Sequence, residues 1–261
     1  MSPAPKAVIH INFLPGELLF DARPIWTALN SATSNGKIPT LPKALGNELG
    51  QTAIHLGTRD YMMRAALREL TASTKAIWDF VPSAVEVDSI PNTRVMRGRA
   101  VEDARDRVLL ATDSFLYECR SFLDLVARFT YAMVTGIGKQ PAAKQQLSTG
   151  QTVKLIEQRG SLRSHDFLLF LCDQLQVPTD WFLFLSSHRN FFTHQATPYC
   201  AVEEIAKVPA EYDLLIMRTN ILDFSTADPK DYFPISECAA VATGLRRFGP
   251  AVQKHLVGLL Q

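Results

Sequence analysis

The chain has 261 residues, 47% of them hydrophobic and 20% charged, and 27 Lys plus Arg against 26 Asp plus Glu leave a net charge of +1. That balance argues against a disordered or membrane-embedded chain, and against a protein that coats long nucleic acid through electrostatics alone. The length suits one domain with appendages, and the four cysteines lie singly outside any CxxC pairing, which predicts buried free thiols rather than a disulfide framework or a zinc site.

The opening stretch, "MSPAPKAVIHINFLPGELLFD", lacks a basic segment followed by an unbroken apolar core. No later run reaches the roughly 18 uncharged apolar residues of a membrane span, so the expected location is cytoplasmic, away from membranes. Residues 1–45 carry Pro3, Pro5, Pro15, Pro24, Pro39 and Pro42 without a sustained helical period. They predict an irregular lead-in with a short strand at "AVIHINF". Residues 46–261 predict one helical domain with a C-terminal extension.

From Pro42 the pattern turns helical. Met62, Met63, Ala66, Leu67, Leu70, Ile77, Trp78 and Val81 recur at spacings of three and four and mark one buried stripe. In "RVMRGRAVEDARDR", five arginines alternate with Glu102, Asp103 and Asp106, which predicts a solvated helix face. The strongest helix begins near Gly98 and stops at "TGIGKQP". Val101, Ala104, Val108, Ala111, Phe115, Cys119, Phe122, Val126, Phe129 and Met133 keep its spacing, with a kink or break expected before Thr112. Two short helices, nearly apolar all round, follow on either side of Pro178, the second N-capped by Thr179. Beyond Pro198, "AEYDLLIMRTNILDF" predicts a strand or hairpin, "ISECAAVATGLRRF" a helix starting at Ser236, and "PAVQKHLVGLL" a separate last helix. The fold class expected is all-α, a helical bundle with a small β-hairpin from the terminal segments.

The stretch "SSHRNFFTH" concentrates the chain's basic, amide and imidazole groups. As a helix, "TDWFLFLSSHRNFFTH" puts Trp181, Phe184, Leu185, His188 and Phe192 on one face, and Ser187, Asn190 and His194 close together on another. Asn190 and His194 face the same way. Arg189 and His194 stand about 140° apart, and converge only if the arginine curls round or the helix ends before His194. His188, on the aromatic face, reads as a hydrogen-bonded core residue. There is no HExxH, GxxxxGK, GxGxxG or GxSxG spacing, so zinc hydrolase, P-loop and serine hydrolase chemistry are unsupported.

"RNFFTH", together with "SFLYECRSFLDLVARF" on the preceding long helix, resembles the HEPN family of small all-helical bacterial proteins over about residues 100–200. The resemblance implies a helical bundle of HEPN type. It also implies a metal-independent endoribonuclease without cofactors, usually a homodimer in which two Arg…His motifs share a cleft. Carried over by position, Arg189 would stabilise the phosphate, His194 would act as general acid or base, and Asn190 would orient one of them. Glu118, ahead of Asp124 and Asp113, is the candidate supporting carboxylate from the long helix, with Arg189 or Arg120 expected as its partner. Asp113, Arg120 and Asp124 fall at outer-face spacings. The partners implied are RNA or a nucleotide, a second copy of the chain, and an antitoxin or a defence component. The alternative is a non-catalytic HEPN-like module that binds nucleotide, RNA or protein. A second Arg…His pair, Arg159 and His165, lies in a Gly/Ser loop without the Arg-Asn doublet and is set aside.

Overall fold

The computed structural model describes residues 18–83, 85–86, 93–95, 99–138, 166–176, 181–194, 199–207, 210–217 and 232–261. Among them the chain is mostly helical: α1 (Arg23–Ser34), α2 (Lys43–Ile77), α3 (Arg99–Gly136), α4 (Asp166–Gln176), α5 (Trp181–His194) and α6 (Glu237–Leu260). A 3-10 turn, Trp78–Ser83, follows α2. Five antiparallel strands run in the order β1 (Val85–Glu86), β2 (Thr93–Val95), β3 (Tyr199–Lys207), β4 (Ala210–Met217) and β5 (Tyr232–Pro234). The mostly helical fold expected is present, and where a small β-hairpin was expected the chain forms a larger antiparallel sheet. The strand expected in "AEYDLLIM" is present as β4, whereas the one expected at "AVIHINF" lies outside the described residues.

The described residues divide into two compact units: those within 63–117 and 185–242 form the first, and those within 18–62, 118–184 and 243–261 the second.

In the first unit, Met63, Leu67, Leu70 and Ile77 are buried along α2, and Ser73 and Thr74 fill gaps in the same stripe. Thr74 turns its hydroxyl back to the Leu70 carbonyl at 2.7 Å, so a polar side chain enters the core with its hydrogen bond made internally. Met62 departs from the expected stripe and is exposed. The central sheet pair sets Cys200, Ala201 and Val202 of β3 against Ile216, Leu215 and Leu214 of β4, and all six are buried. Over these three residue pairs both faces of the hairpin are therefore covered.

In the second unit, α1 occupies part of the segment expected to be irregular. Pro24 sits at the start of the helix, where a missing N–H costs nothing, and the Asp21 carboxylate accepts the Arg23 N–H at 2.9 Å. Phe20 and Trp26 pack edge-on against Phe129, with ring centroids 5.5 and 6.4 Å away.

Helix α3 runs unbroken for 38 residues, about 57 Å at 1.5 Å per residue. Thr112 makes no break: its hydroxyl bonds the Val108 carbonyl at 2.7 Å within the helix. The stripe read from sequence is buried apart from Ala104, which is half-buried. The helix stops at Gly138, whose φ of 73° lies in the left-handed region that glycine tolerates. The two C-terminal helices expected on either side of Gly249 are one, α6. Burial of Cys238, Val241, Leu245, Phe248, Val252 and Leu256 keeps the helical period through Pro250, and this packing outweighs the proline's lost hydrogen bond.

Gly46, Gly50 and Gly57 lie inside α2 with open space where a Cβ would point. Each therefore costs backbone entropy without gaining a close contact. Gly50→Ala is expected to raise stability by about 0.5–1 kcal/mol, measured as an increased urea midpoint with an unchanged slope.

Candidate functional site

Helix α5 ends at His194, so Arg189, Asn190 and His194 all belong to its last two turns; of these three residues the structure describes the helical backbone. A helix that runs through His194 closes one of the two routes to convergence. The positions of Arg189 and His194 stay about 140° apart. The Arg189 position falls within about 40° of buried Leu185, while Asn190 and His194 fall on the side of exposed Ser187. Unpaired carbonyls at a helix C-terminus favour positive charge, which suits a basic residue in these turns.

His188 is a core residue, 3% exposed, and meets Phe233 of β5 edge-on with centroids 4.0 Å apart. Thr179 and the set-aside pair Arg159 and His165 lie outside the described residues.

Glu118 is buried as expected, but its partner is a correction. Both of its carboxylate oxygens accept from Nη1 of Arg59 on α2, at 3.0 and 2.9 Å. Neither Arg120 nor Arg189 is needed for that pairing. Arg120 is not on an outer face either: its side chain is 14% exposed and its guanidinium lies 5.7 Å from the centroid of Phe182. Asp124, more exposed, stands 3.9 Å from Arg120 Nε one helical turn away. Glu118 and Asp124 therefore have helix-stabilising partners of their own. Arg59 was missed because nothing local marks it; the pair spans 59 residues of sequence. The solvated face expected at the start of α3 is present, with Glu102, Asp103, Asp106 and Arg107 exposed and Arg105 bonded to Asp106 at 2.9 Å.

The sheet holds two carboxyl groups that sequence reading passed over. Glu203 of β3 lies directly opposite Asp213 of β4, in a pair that leaves Asp213 7% exposed. Burial pushes the Asp213 carboxyl up, partly offset by hydrogen bonds from Ser236 and from the Leu214 N–H, the latter at 2.8 Å. Burial, and then the Asp213 charge, push Glu203 up as well. Groups raised in the folded state stabilise it fully below their unfolded pKa and lose that contribution as pH climbs through the raised value. Wild-type stability is thus expected to fall as pH climbs above the ordinary carboxylate range, and Glu203→Gln to flatten this slope in chemical unfolding.

None of the four cysteines forms a disulfide, and all four are buried. Burial pushes the Cys200 thiol up to about 12 and raises Cys238 also, which leaves both as unreactive thiols at neutral pH. Among the described residues no group of three or more His, Cys, Asp or Glu is arranged to hold a metal ion, and no helix is long and apolar enough to cross a membrane. Comparison with family models, with curated proteins and with solved structures gave no match.

Proposed function

We propose that this protein is a metal-independent endoribonuclease of HEPN type. The 2′-hydroxyl of RNA attacks the adjacent phosphorus, the bond from phosphorus to the 5′-oxygen breaks, and a 2′,3′-cyclic phosphate remains. His194 moves a proton on or off the reacting oxygens, Arg189 neutralises the charge that builds on the phosphoryl oxygens, and Asn190 orients one of them. One observation carries the reading: the Arg-Asn-x3-His motif sits on one helix, with the Asn190 and His194 positions aligned with exposed Ser187. The proposal includes a cytoplasmic homodimer with a place in a toxin or antiphage system, restrained or assisted by a partner protein.

The test is to incubate folded wild type, Arg189→Ala and His194→Ala with mixed cellular RNA in EDTA and to read the fragment ends. Cleavage by wild type alone, with cyclic phosphate ends and DNA spared, is the expected result. Retained cleavage in both variants, or ends of another kind, overturns it.

A non-catalytic HEPN-like module that binds nucleotide, RNA or a partner protein is the second reading. It is favoured by the commitment of Glu118 to Arg59 and by the Arg189 position on the Leu185 side of α5.

A further inference from the structure

In the first unit, the last turns of α2 and the first turns of α3 enclose a groove of about 280 Å³ that no part of the ribonuclease reading uses. Three alanines give it an apolar lining: Ala72 and Ala76 from α2, Ala104 from α3. Four polar side chains line it as well: Glu69 and Ser73 from α2, Asp103 and Arg107 from α3. Ser73 is 4% exposed and donates its hydroxyl to Glu69 Oε1 at 3.3 Å, which anchors that carboxylate on the groove wall. Asp103 and Arg107 are four residues apart on α3, the spacing at which opposite charges usually pair. Among the described residues no ion pair forms between them, and both face the groove exposed.

The groove therefore offers two carboxylates, one guanidinium and an apolar lining. A ligand that satisfies all of these carries two cationic nitrogens and one carboxylate on a short methylene stem. We infer that this groove binds a free basic amino acid of the lysine type. Its two ammonium groups meet Glu69 and Asp103, its carboxylate meets Arg107, and its methylenes cover the alanines. The complement is one of count as well as sign, because the three charged side chains sum to one negative charge and the ligand to one positive charge. Burying the stem on three methyl groups adds apolar contact that a simple diamine shares, so the carboxylate contact supplies the discrimination between them.

The experiment uses the full chain and L-lysine, with binding followed by calorimetry and by shifts in the protein's NMR spectrum. Saturable 1:1 binding is expected. Norleucine, which lacks the side-chain ammonium, and cadaverine, which lacks the carboxylate, should each bind on the order of tenfold or more weakly. Asp103→Asn and Arg107→Gln should weaken L-lysine by a similar factor. Ala76→Leu fills the groove from an exposed helix position, where the fold tolerates it, and should abolish binding while leaving the thermal transition in place. No saturation by about 10 mM L-lysine overturns the inference. So does binding that Ala76→Leu leaves intact, or cadaverine binding as tightly as lysine. None of these outcomes depends on RNA cleavage, so the inference and the ribonuclease reading can fail separately.

Discussion

Gly249→Ala is expected to cost about 3 kcal/mol, seen as a fall in Tm on the order of 10 °C. A Cβ at this position would overlap the carbonyl oxygen of Leu19, with that carbonyl's carbon next in its path. A flexible side chain could swing away, but this obstacle is backbone, and that backbone is tied down. The Leu19 N–H donates to Asp60 at 3.4 Å and the Asp21 N–H to Gln253 at 3.0 Å, while Phe20 is 4% exposed against Phe129. Moving the segment to admit a methyl group therefore breaks hydrogen bonds and opens an aromatic contact together. The control lies on the same helix. Gly258 has open space at its Cβ position, and Gly258→Ala should leave Tm unchanged or raise it slightly. A Gly249→Ala protein as stable as wild type would mean that residues 19 and 20 do not lie against α6.

The second large effect concerns chemistry. If His194 transfers a proton in the rate-limiting step, His194→Ala should slow RNA cleavage by about 10²- to 10⁴-fold without shifting the thermal transition. Arg189→Ala should cost about 10²- to 10³-fold through lost charge stabilisation. Glu118→Gln separates the roles. Because its carboxylate is held by Arg59, it is expected to lower stability, by about 1–3 kcal/mol at this partly exposed pair, while cleavage by the folded fraction persists. A folded Glu118→Gln protein that has lost cleavage would return this carboxylate to the machinery.

The helices were legible because their buried positions recur at spacings of three and four; nine of the ten stripe residues read on α3 are buried. Of the sheet only the β4 segment was read as a strand, and the rest was missed for a related reason. Cys200, Ala201 and Val202 are buried consecutively, as are Leu214, Leu215 and Ile216, so these strands lack the alternation that marks a half-exposed sheet. β1 and β2, two and three residues long, are too short to carry a period. Prolines misled at α1 because a proline at a helix start and a proline that breaks a helix are the same letter. At the candidate site, residue types and the helix were readable from sequence. The angular separation of Arg189 and His194 was too, but whether the helix would end early to relieve it was not. The Arg59 to Glu118 pair depends on two helices meeting, which no local pattern encodes.

The four buried thiols divide evenly: Cys200 and Cys238 in the first unit, Cys119 and Cys172 in the second. Each unit thus carries two built-in tags that an alkylating reagent reaches only when that unit opens. Pulsed labelling followed by peptide mass analysis would therefore time the loosening of each unit separately, in the unaltered chain and without an attached probe.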